Sequence, residues 1–395
     1  MKKLMILGAS YSQMPLIQAA KRLGIYTIVC STPGSWPGFA EADECSYTDI
    51  SDPQAVLAEA RRTQIQGITT CCLDTGVPAI GTVCEAMGLT GPKAIPAQTA
   101  SDKWKMKEAF VKAGVQTARH IRVRSEEELE AALSQLTFPV ILKAVDLMGS
   151  RGIFRSNTKE EARANYRLTM EATGKDYCLV EEFIEGTLFG AEAMLKDGKF
   201  LYCLLDNTEA FISAVPTPVG HSVPFDEEEA LGAQAREQVG KAAKALGLDN
   251  CPVNCDLIWK DGRVYVVEIT ARAGATCLPE IVGEFFGINY YEAIVRLALD
   301  LGVEEMFHLD GEHPAVLSHT LLSLRDGIVK EIRNDNAPSG DILDLSFNIC
   351  PGEEIHRYRN GRDRLGQVIL KGGTLTECRK RLQEVLSKIH IEFME

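Results

Sequence analysis

Residues 252–272 read PVNCDLIWKDGRVYVVEITAR, and this stretch decides the fold because it places two acids on what reads as a pair of adjacent strands. Asp256 and Glu268 flank Asp261-Gly262, a turn signal set between the alternating residues of a half-buried hairpin. Register decides whether the acids meet. A two-residue loop over Asp261-Gly262 puts Asp256 opposite Val267 and turns Glu268 to the other face, since side chains alternate along a strand. A three-residue loop over 260–262, with Gly262 left-handed, pairs Trp259 with Arg263, so that Asp256 faces Val266 and Glu268 faces Asn254. Only this register gathers Val253, Cys255, Leu257, Trp259, Tyr265, Val267 and Ile269 on one face, and the patterning therefore predicts it. The acids then become diagonal neighbours about 7–8 Å apart at the backbone. That spacing suits one or two hard cations whose remaining oxygens come from phosphate. From these residues alone, a magnesium-nucleotide site and two solvated acids on an amphipathic hairpin are equal readings.

Composition sets outer limits. A chain of 395 residues can bury more than one core, and 45% apolar with 25% charged residues is ordinary for a globular protein. The opening MKKLMILGAS passes from two lysines straight into a strand-like run without a cleavage region, and no stretch is long and apolar enough to span a bilayer. The expected location is cytoplasmic. A formal charge of −13 argues against general nucleic-acid or anionic-membrane binding. The 12 cysteines are scattered through apolar runs or adjacent at Cys71-Cys72, with no CxxC pairing, and are expected to be reduced core residues.

Strand and helix patterns alternate from KLMILGA through a helix at Pro15 to Leu23, YTIVCS, a helix at Asp52 to Thr63, and GITTCCLD, which predicts a parallel sheet covered on both faces. The first turn, GASYSQMP, carries neither GxGxxG nor a Walker lysine. A break at Gly91-Pro92 and Pro96 marks a boundary, after which SDKWKMKEAFVKAGV reads as a helix capped by Ser101 or Asp102. Then come the strand FPVILKAV, a glycine-containing loop, a helix from Thr158 to Ala172 and the strand YCLVEEFI. AEAMLKDGKFLYCLL follows, then a polar loop, a helix from Glu227 to Leu246, the acid hairpin and a helix from Tyr290 to Leu301. The tail from Pro314 reads as short strands ending in a helix, Leu375 to Ile389.

Two further segments carry chemistry. Lys143 ends a strand beside the loop DLMGSRG, where a fixed cation and the backbone N–H groups of Gly149, Ser150, Arg151 and Gly152 suit polyphosphate. A strand-end lysine next to a surface turn is the plain alternative. In LVEEFIEG, backbone groups of Glu182, Phe183 and Ile184 can read a purine edge and Glu181 can accept from its amino group, although taken alone the segment reads more plainly as an edge strand with solvated acids.

With lysine, glycine loop, EEFIEG and acid hairpin in this order, the chain resembles the ATP-grasp superfamily, in the branch holding biotin carboxylase, the purine-pathway carboxylases and the L-amino-acid ligases. The likeness runs over nearly the whole chain and includes the GAxxxQxP turn. It implies a mixed α/β and α+β fold. A Rossmann-like pre-ATP-grasp domain would span 1–95, a two-subdomain ATP-grasp domain 96–310 with its hinge near 181–186, and a small, mostly β C-terminal subdomain 311–395. It implies Lys103 and Lys143 on the ATP phosphates, Glu181, Glu182, Phe183 and Ile184 at the adenine, Asp256 and Glu268 on magnesium, and Arg272 at the transferring phosphoryl group. Manganese is an alternative metal. Three departures stand out. Thr270 replaces a metal-binding asparagine, so a third metal contact rests on a hydroxyl. Leu188 stands near the place of the ribose-binding acid, with Glu185 and Glu192 as distant substitutes. AGATCLPE after Arg272 lacks the base acid of the carboxylases.

The implied reaction is phosphorylation of a carboxylate by ATP followed by attack of an amine, forming a carbon–nitrogen bond with release of ADP. Carboxylates are poor electrophiles, so the protein's part is charge stabilisation and alignment. His221, in VGHSVP, is expected to orient substrate or take the amine proton, a solvated loop histidine being the alternative. The expected partners are a small carboxylate, as of an amino acid, and an amine, with no nucleic acid or membrane and a homodimer as the assembly. Rival readings are a bicarbonate-using carboxylase, a non-catalytic nucleotide-binding protein of the same fold, and a nicotinamide-linked oxidoreductase, against which the missing GxGxxG counts.

Overall fold

The computed structural model describes residues 1–212, 215–308 and 310–394. Strands Lys3–Leu7, Tyr26–Ser31, Glu44–Tyr47 and Gly67–Thr69 form a parallel sheet in the order third, second, first, fourth. Alternate side chains of the first strand serve different cores, Leu4 and Ile6 entering one apolar cluster and Met5 and Leu7 another, as a sheet covered on both faces requires. Helix Met14–Arg22 lies on the first side, and helices Pro53–Thr63 and Val77–Met87 on the second. Asp52 caps Pro53–Thr63 by accepting from the amides of Gln54 and Ala55, with proline at the first helical position. The first cluster also takes Ile294 and Leu297 of helix Tyr290–Ala298. The N-terminal sheet is thus packed on a late part of the chain.

Two antiparallel sheets form most of the rest. The smaller has the spatial order His120–Val123, Cys178–Glu182, Val140–Lys143, Ile153–Ser156, and its apolar side is closed by helices Glu126–Leu133 and Lys159–Ala172. The larger has eight strands, in the order Arg263–Thr270, Cys251–Lys260, Thr187–Lys196, Lys199–Ile212, Pro216–Val223, Ala315–Leu322, Arg364–Gly372, Ile342–Phe347. One face rests on helix Glu228–Leu246, where Val239 and Ala242 meet Val253, Cys255 and Leu257. The other face carries the polar residues described below. Among the described residues no helix is long and apolar enough to cross a membrane.

The mixed α/β architecture agrees with expectation, and three details differ. The stretch read as a polar loop after LYCLL is a hairpin of Lys199–Ile212 and Pro216–Val223, with Thr208 opposite His221; residues 213 and 214 of it lie outside the described residues. Its polar residues face a cavity rather than an apolar core, so the alternation that marks a strand is missing. The C-terminal strands Ala315–Leu322, Arg364–Gly372 and Ile342–Phe347 continue the large sheet, while Glu354–Ile355, Gly327–Asn334 and Ile389–Phe393 form a separate small one. The last helix stops at Leu386, and Ile389 begins a strand.

Candidate active site

The hairpin brings the two acids together, but by a different route from the one its pattern predicts. The loop has two residues: Lys260 pairs with Arg263, and Asp261 and Gly262 take φ of 50° and 73°, the left-handed pair a tight hairpin turn demands. This register alone would turn Glu268 away. A bulge between Asp256 and Leu257 inserts Val267 as an extra residue on the second strand, so that Leu257 opposes Val266 while Asp256 directly opposes Glu268. Val264 and Val266, rather than Tyr265 and Val267, therefore fill the core beside Leu257. Val267 instead lines the cavity with both acids.

Burial, then the neighbouring charge of Glu268, pushes Asp256 up to about 7. Two carboxylates held this close repel unless a proton or a cation stands between them, so the donor set fits a hard divalent ion. Among the described residues no three His, Cys, Asp or Glu side chains gather to hold a metal by themselves. Such an ion needs further oxygens, as a phosphate supplies. Thr270 does not face the acid pair freely, because its hydroxyl donates to Asp74 Oδ1 at 2.6 Å.

Three lysines surround the same space. Lys103, at the start of helix Lys103–Ala113, donates from Nζ to the carbonyl of Leu147 at 2.7 Å and lies 3.3 Å from Glu268. Burial opposes its charge, but Glu268 and Asp74 hold its pKa above the ordinary lysine value. Lys143 Nζ reaches Glu181 Oε2 at 2.8 Å. Lys107, one helical turn beyond Lys103, was not singled out by the sequence. Its Nζ meets Thr117 Oγ1 at 2.5 Å and Glu181 Oε1 at 3.4 Å. Glu181 sits between two ammonium groups, and despite its burial they hold it down to about 2. Lys107, the more distant partner, is pushed down to about 8, by burial first. Glu181 therefore orders the lysines, and its carboxylate is committed before any purine arrives.

The loop after Lys143 is pinned at its start by Asp146, which accepts from Thr173 Oγ1 and the Gly174 amide. Gly149, Ser150 and Gly152 all have positive φ. A Cβ on Gly152 would lie 2.7 Å from that of Ala144, so close packing as well as φ demands glycine there. Gly149 and Ser150 line the cavity, while Arg151 borders a neighbouring cleft and donates to the carbonyl of Met148 at 3.1 Å.

The cavity encloses about 440 Å³ and reaches the segment after strand Cys178–Glu182. Not all of that backbone is open. The Glu182 amide donates to the Arg119 carbonyl and the Phe183 amide to that of Pro139, so among the described residues Ile184 offers the free donor of the three. Glu182 turns its side chain outward to accept from the Thr137 amide. Phe183 is covered by the Arg155 guanidinium, 4.4 Å from the ring centroid. Among the stand-ins for a ribose acid, Glu185 lines the cavity and pairs with Arg155. Glu192 is buried elsewhere and accepts from the Gly274 amide at 2.7 Å.

At the opposite end, Arg272 is buried and donates from Nη2 to Asp74 Oδ2 at 2.8 Å and from Nη1 to the carbonyl of Ala273. Burial opposes its charge, but Asp74 raises its pKa above the usual arginine value. Asp74 comes from the N-terminal unit, whose Cys72 amide also donates to the carbonyl of Ala273. His221 is a buried strand residue, not a loop histidine, and its Nδ1 lies 2.6 Å from Asp206 Oδ1. Beyond Arg272 the wall consists of Ala275, Thr276 and Leu278. The next acid, Glu280, is held by the Tyr291 hydroxyl at 2.6 Å.

The family described as ATP-grasp domain matches residues 100–276, and that described as L-amino acid ligase C-terminal domain 2 matches 319–394. The chain is 41% identical to a phosphoribosylglycinamide synthetase from Anaerococcus prevotii, whose crystal structure it matches with a TM-score of 0.83 and all of both chains covered. It shares its fold with an L-amino acid ligase from Bacillus licheniformis at 20% identity and a TM-score of 0.84, covering 100% of this chain and 99% of that one. It is 27% identical over 242 residues to the alanine–anticapsin ligase of Bacillus subtilis, a match over 55% of this chain and 50% of that protein. The chain thus spans about half the length of the curated relatives it matches.

Proposed function

Because this chain belongs to the ATP-grasp superfamily, we propose that it is an ADP-forming carboxylate–amine ligase acting on an amino acid or a similar small carboxylate. The observation that carries the choice is the wall beyond Arg272, small and without a free acid, with Glu280 turned to Tyr291. An organic carboxylate is already ionised at neutral pH and needs only a cation and alignment, whereas bicarbonate is to be deprotonated or held by a nearby base as it attacks the γ-phosphate.

In this reading the purine enters the cavity between Phe183, Ile184 and Leu188, where the Ile184 amide remains as donor. Lys103 and Lys143 hold the phosphates, and the loop at 146–152 excludes water that would hydrolyse an acyl phosphate. Magnesium, or manganese, held by Asp256 and Glu268, would supply charge neutralisation of the phosphates. Arg272 receives the substrate carboxylate and the transferred phosphoryl group, and Asp74 keeps the guanidinium in place. His221 takes a proton from the attacking amine. We assign the nucleotide and both acids to a unit spanning 96–310, with 1–95 as the side from which the second substrate approaches and 311–395 completing the sheet. A cytoplasmic homodimer belongs to the same proposal, checked by fractionation and sedimentation equilibrium.

The test is positional isotope transfer. With an oxygen-18-labelled carboxylate from the pool of L-amino acids, label is expected in released phosphate. Product formed with unlabelled phosphate, or turnover strictly dependent on bicarbonate, would overturn the ligase reading.

A further inference from the structure

Four strands carry a row of residues across the cavity face of the large sheet. Glu268 is opposite Asp256, Asp256 is opposite Gly190, and Gly190 is opposite Asp206. Three positions bear acids and one bears no side chain. The missing side chain matters, because a Cβ on Gly190 would come within 2.5 Å of Asp206 Oδ2. The Asp206 carboxylate therefore lies over Gly190, in space that any other residue there would occupy. Oδ1 is 2.6 Å from His221 Nδ1, and Oδ2 is buried with no hydrogen-bond partner among the described residues. Asp206 and His221 are 1% and 7% exposed, so water does not compete for the contact. His221 lines the same cavity as Asp256 and Arg272, and its backbone is fixed because the His221 amide donates to Ser318 Oγ at 3.1 Å.

We infer that Asp206, given room by Gly190, is a positioning residue that fixes the tautomer and direction of His221 so that its Nε2 can accept the proton of the attacking amine. A carboxylate has no proton to donate, so the shared proton resides on Nδ1 and the lone pair is left on Nε2. The inference rests on the ligase reading. In the transfer step the neutral amine nitrogen attacks the acyl carbon, the carbon–nitrogen bond forms, and the bond from that carbon to the phosphate oxygen breaks with its electron pair leaving on phosphate. The nitrogen, now positive, gives one proton to His221 Nε2. Asp206 stabilises the resulting imidazolium, which returns the proton to solvent as products leave. A carboxylate that held the ring only for packing would have no effect on how different amines react.

The experiment compares two nucleophiles on one acyl phosphate. Wild type, Asp206→Asn and Gly190→Ala are supplied with MgATP and the pool of L-amino acids, with or without hydroxylamine, an amine already unprotonated at neutral pH. Amide and hydroxamate products are measured, together with the KM for ATP. Asp206→Asn is expected to lower the ratio of amide to hydroxamate about 10²-fold, the scale of a lost proton acceptor, with little change in the KM for ATP. Gly190→Ala, which removes no ionisable group but displaces the carboxylate, should lower the ratio in the same direction. If Asp206→Asn does not fold, as thermal unfolding would show, the Gly190→Ala ratio decides. A ratio within threefold of wild type in the folded variants overturns the role of Asp206 and leaves the ligase reading standing. A wild-type protein that forms neither product from the pool overturns the ligase reading and this inference with it.

Discussion

Glu192 is fully buried, and among the described residues only one of its carboxyl oxygens finds a hydrogen-bond partner. Burial pushes its pKa well above the usual carboxylate range. The folded state thus holds this proton more tightly than the unfolded chain does. Its contribution to stability is complete below the unfolded value, about 4.3, and is lost as pH rises through the folded one. Glu192→Gln keeps an acceptor for Gly274 and never ionises. Its melting temperature should match wild type near pH 4 and exceed it by about 2 °C or more as pH rises, which a pH series of thermal unfolding would check. At the acid pair the expectation is opposite in kind. Asp256→Asn or Glu268→Gln should cut ATP consumption by about 10²-fold or more, the cost of losing one electrostatic contact to a developing charge. Near-full ADP release by either variant would show that the metal is placed elsewhere. Lys143, Asp256 and Glu268 stand in segments whose own pattern marks them, Lys103 and Arg272 stood out only through the family resemblance, and the structure gathers all five at one cavity. Lys107 was not legible, since a helical lysine reads as solvated. Its four-residue spacing from Lys103, which puts both on one helix face, was the available clue.

At the scale of elements, fold class followed from apolar periodicity wherever that periodicity served an apolar core. It failed where a strand serves no apolar core: in the run Asp206 to Glu209, Asp206 holds His221 and the next three residues line a neighbouring cleft, so the run reads as a loop. The bulge at Val267 was equally hidden. Alternation predicts a regular ladder, and an extra residue is visible only through the partner strand that fixes Asp256 opposite Gly190. The loop at 146–152 allows a direct test of motion. It is tethered at Asp146 and by Lys103 to the Leu147 carbonyl, but its middle rests on glycine backbone. Amide exchange over 148–152 should slow when a non-hydrolysable ATP analogue and magnesium are added. Equal exchange with and without nucleotide would exclude it as a lid.

Across the whole molecule, the site is completed by a contact between its distant parts. Asp74 of the N-terminal unit is half-buried against the buried Arg272, and although desolvation works against its charge, Arg272 lowers its pKa. Stability from this pair is present above the unfolded value, about 3.9, and is lost as pH falls through the folded one. Asp74→Asn should cost about 3–5 kcal/mol at neutral pH by leaving a buried guanidinium uncompensated, with the gap to wild type in urea unfolding narrowing below pH 4. The same junction also has a place in time. Cys72 donates to the carbonyl of Gly274 across 202 positions of chain, and a ribosome adding about 5–20 residues per second needs roughly 10–40 s to make that much. The nascent N-terminal sheet waits about that long for helix Tyr290–Ala298 to complete the cover that helix Met14–Arg22 begins. If the N-terminal unit folds as it emerges, the arginine loop arrives at a formed partner, and a chain stalled between the two would present to chaperones a sheet with one apolar side only partly covered.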